Sequence, residues 1–252
     1  MYDYLRGRKF SKGLHIHLPK NKEIMLSKME LVESIVSDKK IIHLGCTDHK
    51  ELIKGKIERG EWFHKRLLDA SSQCLGIDIN KEAINYCRNE LGYDDIYCHD
   101  VLNDEPLQII INNRWDYMVL GDILEHIDNP HMFLRAIRTK YSNYIRKIVI
   151  TVPNAFSYEN LRGVLKHHEV INSDHRYWFT SYTLAKVVVC SGMEPATIWY
   201  VSNIKTEQRT IRKLLKRLLF KNYPMFRESL VMVAHLNKSD DAFLETAISP
   251  KK

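Results

Sequence analysis

The sequence predicts an α/β fold built on a doubly wound parallel sheet with helices on both faces, and three observations carry that expectation. Short apolar runs alternate with amphipathic helical patterns along residues 40–201, the ordering that builds a parallel sheet. The first run, Ile41, Ile42 and Leu44, passes directly into Gly45 and a small polar loop, as a buried strand does when it delivers its carboxyl end to a ligand crevice. The second run, around Cys74 to Ile79, ends in an acid, Asp78, placed to accept hydrogen bonds from a ribose diol.

Composition bounds the rest. With 252 residues, 44% of them hydrophobic, the chain can bury one substantial core. Its five cysteines include no C-x-x-C pair and read as reduced core residues, not zinc ligands or a disulfide framework. The amino end lacks an apolar signal core and no run is long enough to cross a bilayer, so a cytoplasmic protein is expected. The net charge of +7 is concentrated: residues 205–221 hold seven cations against Glu207. The basicity therefore belongs to one element and not to a general polyanion-binding surface.

In order, residues 1–38 form an N-terminal segment with a basic opening, a His15-Ile16-His17 pair read as surface polar residues, and a helical pattern over 21–37. Ile24, Met25, Met29, Val32, Ile35 and Val36 share one face of that helix, which is expected to lid the site. The main domain spans 39–237. Gly45 and Asp78 are 33 residues apart where about 20 is usual, and the excess is assigned to a loop over 49–61. A helix from Glu61 to Ser71 then places His64 in its first turn, where it can contact a cofactor carboxylate or stand simply as a surface histidine. A second helix follows, from Lys81 to Gly92.

Asp95 to His99 reads as the third strand, ending at Asp100-Val101. The acid there suits an exocyclic amine and Val101 the face of a base, with an ordinary turn aspartate as the plain alternative. A crossover helix is expected over Asn103 to Asn113, a fourth strand over Trp115 to Leu120, and a fifth over Ile145 to Val152. Residues 155–180 are polar and aromatic without a period, and a long loop on the carboxyl side of such a sheet is usually functional. Ser181 is expected to cap the next helix. Ala196 to Val201 and Leu230 to Leu236 read as a final antiparallel pair, and 238–252 as a disordered tail.

The loop after Gly45 carries chemistry of its own. A dinucleotide site wants G-x-G-x-x-G against its pyrophosphate, but Cys46, Thr47 and Asp48 follow here. Asp48 would repel a pyrophosphate and suits an ammonium group. That argues against a nicotinamide cofactor and towards S-adenosylmethionine.

Taken together, the ordered motifs Ile-His-Leu-Gly-Cys, Gly-Ile-Asp-Ile-Asn, His-Asp-Val, Gly-Asp-Ile-Leu-Glu-His-Ile-Asp-Asn-Pro, Thr-Val-Pro-Asn and His-Arg-Tyr-Trp-Phe-Thr resemble the class I S-adenosylmethionine-dependent methyltransferases, especially the bacterial small-molecule and glycan-modifying branch. That resemblance, over about Lys40 to Val201, implies a Rossmann-like seven-stranded sheet of order 3-2-1-4-5-7-6 with the last strand antiparallel. It places Gly45, Cys46 and Thr47 at the methionine moiety, Asp78 and Ile79 at the ribose, and Asp100 and Val101 at the adenine. Gly121 and Asp122 would close the floor near the methyl group.

The expected reaction is methylation, at oxygen, of a small molecule or glycan precursor, including an anionic one. A hydroxyl acceptor needs a base, and histidine suits that task near neutral pH. His126 is the first candidate, with a structural histidine bonded to backbone at the sheet rim as the plain alternative, and His175, on the aromatic loop, is the second. The primary expectation is a site without metal. The alternative is magnesium on Asp122, Glu125 and His126, whose i, i+3, i+4 spacing would aim all three one way on a helical turn. For the basic helix over 205–221, the favoured reading packs its leucine face on the domain. Contact with an anionic acceptor or a membrane surface comes next, and RNA third, because no stacking aromatics are interleaved with the cations. Two further functional readings stand beside the enzyme: a catalytically silent binding or membrane-docking module, and a nicotinamide-dependent sugar enzyme.

Overall fold

The architecture follows from where the apolar runs can hide both faces. The computed structural model describes residues 1–20, 26–202 and 211–237. In chain order the elements are α1 (Tyr2–Leu5), α2 (Lys28–Val36), β1 (Lys40–Leu44), α3 (Lys50–Glu58), α4 (Phe63–Ala70), β2 (Gln73–Asp78) and α5 (Lys81–Asn89). There follow β3 (Ile96–Cys98), α6 (Gln108–Ile111), β4 (Trp115–Gly121), α7 (Pro130–Tyr141), β5 (Ile145–Pro153) and α8 (Tyr158–Val164). The last are α9 (Ser181–Cys190), β6 (Glu194–Val201), α10 (Ile211–Asn222) and β7 (Ser229–His235).

The strands form one sheet of order β3-β2-β1-β4-β5-β7-β6, as the resemblance implies. β7 runs antiparallel to both its neighbours, and the remaining pairings are parallel. β1 lies at the centre, with Ile41 opposite Cys74 on one side and Tyr117 on the other. Its residues Ile41, Ile42, His43 and Leu44 are all buried, which explains a run without polar alternation. Cutting a core side chain such as Ile42 back to alanine costs about 2–5 kcal/mol.

Several boundaries depart from the sequence reading. The stretch over 49–61 is not a loop: it holds α3, whose one buried side chain is Ile53. A single inward residue leaves too thin an apolar stripe for periodicity to register. The helix expected over 103–113 shrinks to α6, because the residue before Pro106 is driven out of helical geometry. The aperiodic stretch contains α8, capped by Ser157, whose side chain accepts from the Asn160 amide. The cap of α9 is Thr180, not Ser181, in a reciprocal arrangement with Thr183.

The N-terminal helix is shorter than expected. α2 starts after Ser27, which forms a capping box with Glu30, and it buries Leu31, Val32 and Val36. Ile24 and Met25 lie outside the described residues, as do 203–210 of the basic segment and the expected tail 238–252.

α10 reverses the favoured expectation for its leucines. Leu214, Leu215 and Leu218 are exposed, whereas Phe220 is buried. Lys216, on the same side as Phe220, pairs with Glu159 of α8 and with Glu228, each at 3.0 Å. The helix is thus seated by a cation and an aromatic, and its leucine face looks outward. Among the described residues, no helix is long and apolar enough to cross a membrane.

Candidate active site

A cleft of about 640 Å³ opens at the carboxyl ends of the central strands, lined among others by Leu44, Gly45, Asp78, Ile79, Asp100, Val101, Ile123, His126 and Phe133. Gly45 sits at φ +70, and a Cβ there would stand 2.9 Å from the Ile123 side chain. Glycine is therefore needed both for the left-handed turn and for the close approach. Backbone alone faces the cleft at that point.

Asp78 is held from below. Its Oδ2 accepts from the Thr47 amide at 3.0 Å and the Thr47 hydroxyl at 2.7 Å, and Oδ1 accepts from the Asn80 amide at 2.9 Å. A carboxylate offers about four acceptor positions, so capacity for a further donor remains on Oδ1. Ile79, 74% exposed, lies beside it, and Val101 is also on the wall. A fixed carboxylate between apolar surfaces can hold a ribose and a flat base, so the residues present fit an adenosyl cofactor.

Not every residue singled out in the sequence reaches the cleft. Cys46 is buried in a cluster with Ile53, Trp62 and Cys87, so its side chain faces the core. Thr47 spends both its hydroxyl and its amide on Asp78. Asp100 lines the cleft but accepts from the Leu102 and Asn103 amides and from the Asn103 side chain. Its carboxylate holds its own turn. Gly121 serves packing, since a Cβ there would lie 2.7 Å from the Phe63 ring.

His64 is a correction. It is 1% exposed, inside the core, with Nδ1 3.1 Å from Nδ1 of His43. Burial pushes its pKa down to about 4, and it does not line the cleft. The amphipathic register of α4 turns this position towards the sheet, which a first-turn location alone did not reveal. Asp48, offered as a partner for the cofactor's ammonium, is ion-paired with Lys56 of α3.

Another part of the cleft wall is built on a single 3-10 turn, Leu124–His126, that follows β4. Segment 174–177 is stapled over it. The Arg176 amide donates to the Glu125 carbonyl at 2.7 Å, the Arg176 guanidinium donates to the His126 carbonyl and pairs with Asp128, and the Tyr177 hydroxyl donates to the Asp128 carbonyl. These contacts bring His175 to His126, with ring centroids 4.7 Å apart and nearly perpendicular. The sequence placed the two histidines on separate elements; the structure joins them.

Glu125 lies beneath the pair, fully buried; among the described residues neither carboxylate oxygen has a hydrogen-bond partner, and Oε1 stands 4.0 Å from His175 Nε2. Burial first, then the charge of Asp122, pushes its pKa up to about 8. His175 Nδ1 is likewise buried without a partner, and burial followed by His126 lowers the pKa of that ring. Ligand atoms of Glu125, His126 and His175 lie within 4.8 Å of one another, a donor set able to take a divalent cation.

Asp122 does not join them as its spacing suggested. Its φ is +53, off the helical turn, and its carboxylate accepts from Thr151 and pairs with Lys28 of α2. Lys28 is a partner of Asp122 that the sequence reading did not single out. Nothing local marks it, because the pairing spans 94 residues of chain.

Known proteins share this architecture. A profile of the family described as a methyltransferase domain matches residues 19–194. Comparison with curated proteins finds no match. Among solved structures, a chain of the complex between the Haloferax volcanii Trm112 methyltransferase activator and a methyltransferase is similar with TM-score 0.52 and 13% identity, over 83% of this chain and 88% of that one. The small RNA methyltransferase HEN1 is similar with TM-score 0.54 and 11% identity, over 89% of this chain and 27% of that one. At these identities the likeness speaks to the fold; the match of the family profile over more than half the sequence speaks to kinship. The chain belongs to the methyltransferase-domain family and is an S-adenosylmethionine-dependent methyltransferase.

Proposed function

We propose that the enzyme methylates a hydroxyl of a small molecule or glycan precursor in the cytosol, with His126 as the base. One observation carries this reading: His126 lines the cleft with Nδ1 3.2 Å from the Asp174 carbonyl. A carbonyl can only accept, so this contact puts the ring proton on Nδ1 and leaves Nε2 as an acceptor for a hydroxyl proton. Methyl transfer from a sulfonium is an in-line displacement, and much of its acceleration comes from holding nucleophile, methyl and sulfur in line in a dry site. In this reading Asp78 grips the ribose diol, Ile79 and Val101 flank the adenosine, and Gly45 admits the methionine end.

His175 keeps the second role. It orients His126 edge-on and becomes the base if the acceptor enters from the side of segment 174–177. α2 packs Leu31, Val32 and Val36 against the sheet and α4, and its Lys28 holds Asp122 just after β4. The motif resemblance supports the bacterial glycan-modifying branch. All five cysteines are free, which suits a reducing compartment.

The test is a screen of nucleotide sugars and phosphorylated sugars for formation of S-adenosylhomocysteine, with calorimetry of cofactor binding alongside. Asp78→Ala should weaken S-adenosylmethionine binding by about tenfold or more, the worth of a charge-assisted hydrogen bond. Unchanged affinity in that variant would overturn the ribose assignment. Turnover on RNA alone would overturn the acceptor class.

A second reading has an observation of its own. The buried carboxylate of Glu125, without a hydrogen bond and 4.0 Å from His175 Nε2, beside His126 supports a divalent cation there, which when bound would supply charge to lower the pKa of an acceptor hydroxyl. Titration with Mn²⁺ read by its paramagnetic signal, in wild type and in Glu125→Gln, decides it. An unaltered Mn²⁺ signal in the wild type rejects the cation.

A further inference from the structure

We propose that the ridge formed by α8 and α10 docks the enzyme on an anionic lipid surface. Leu214, Leu215 and Leu218 are 58%, 62% and 49% exposed, and on α8 and just beyond it Val164 and Leu165 are 69% and 73% exposed. The two helices are tied by the Lys216–Glu159 pair, so these exposed side chains stand on neighbouring elements. Exposed apolar side chains grouped in this way mark a face that something covers.

The charges say what covers it. Arg217 and Lys221 stand three and seven residues after Leu214, on the same helical stripe as Leu218, and both are exposed. No acid occurs between residues 211 and 222, while Lys166 adds an exposed cation just beyond α8. A second copy of the chain would bring these cations against each other. Anionic headgroups complement them, and leucines flanked by Lys and Arg are the pattern of a helix lying in the plane of a membrane interface. Phe156, Leu161, Val164 and Phe226 border an apolar cavity of about 440 Å³ in the same region, which extends the lipid-facing surface.

α10 can do this without loosening the fold. Lys216 and Phe220 seat it on the domain, so the leucine stripe is free to enter a bilayer. Docking here does not depend on which acceptor the site takes.

The experiment is flotation of the full chain with vesicles of phosphatidylcholine alone and of phosphatidylcholine mixed with phosphatidylglycerol. The protein should float with the mixed vesicles and not with the neutral ones, and added salt should release it. The triple variant Leu214→Gln, Leu215→Gln, Leu218→Gln and the double variant Arg217→Glu, Lys221→Glu should each reduce the bound fraction by about tenfold or more. Thermal midpoint and S-adenosylmethionine affinity should stay at wild-type values in both, because these side chains are exposed. Failure of the wild type to float with mixed vesicles overturns the proposal, as does equal floating with neutral ones or wild-type behaviour of the leucine variant. A concentration-dependent dimer that the leucine variant abolishes, seen by velocity sedimentation without vesicle binding, would assign the ridge to self-association and overturn it equally.

Discussion

The molecule holds two histidine pairs that differ in what they can do. His43 and His64 lie stacked in the core between β1 and α4, with ring centroids 5.3 Å apart and Nδ1 facing Nδ1 at 3.1 Å. His126 and His175 meet edge to face at the cleft, above the buried carboxylate of Glu125, 4.0 Å from His175 Nε2. For the inner pair, burial holds both rings well below their ordinary pKa. Two rings share that contact only if one donates and the other accepts, so both cannot be protonated at once, and burial away from solvent favours the neutral form of each. In the proposed mechanism the outer pair keeps an acceptor nitrogen open to the cleft. The same side chain is packing in one place and the proposed base in the other, and access decides which.

Substitution separates the two roles, and the largest effect should come from the outer pair. His126→Gln should lower kcat by about 10²–10⁴-fold, the usual worth of a general base, with little change in thermal midpoint. His64→Gln should leave kcat near the wild-type value while lowering stability. If instead His64→Gln abolishes turnover in a fully folded protein, the contrast fails.

Acid should find the inner pair first. The folded pKa of His64, about 4, lies below the unfolded value of roughly 6.5, so between those limits the unfolded chain binds more protons. The stability contributed by the neutral ring is complete above about pH 6.5 and is lost as pH falls through 4, amounting to about 3 kcal/mol. Urea unfolding at a series of pH values should show this decline in wild type. It should be flattened in the double variant His43→Leu, His64→Leu, which replaces both polar partners together. An unchanged pH slope would show that the acid sensitivity lies elsewhere.

A smaller effect should come from the staple over the outer pair. Arg176→Ala removes the guanidinium ties of segment 174–177 to His126 and Asp128 while leaving the backbone and Tyr177 bonds, and misplacing a positioned group by a fraction of an ångström is enough to slow chemistry. A rise in KM and fall in kcat totalling about tenfold is expected, against a stability loss of about 1 kcal/mol. Steady-state kinetics beside a thermal melt separates these. A purely structural role would move the melt alone.

What could be read from the sequence was what the sheet imposes locally. β1, β2, β4 and β5 are buried on both faces and so appear as unbroken apolar runs, and Asp78 announces itself by ending one of them. The long-range facts were hidden. α3 turns a single side chain, Ile53, inward, so its period is faint. His64 sits in a first turn like any surface histidine, and only the packing of α4 against β1 shows it to be interior. For α10, periodicity shows that Leu214, Leu215 and Leu218 share a face, but the inward side is chosen by Lys216 finding Glu159 and Glu228. Lys28 meets Asp122 across 94 residues, a contact that no window along the chain contains.

The position of β7 has a consequence for how the protein is made. This last strand is inserted between β5 and β6, bonded to both, so a ribosome-bound chain that ends before Ser229 leaves two strand edges facing an empty slot. Open edges are templates for pairing with the wrong chain. Synthesis must therefore run past His235 before the sheet can close, and a premature stop anywhere upstream of that strand yields an aggregation-prone fragment in place of a smaller enzyme.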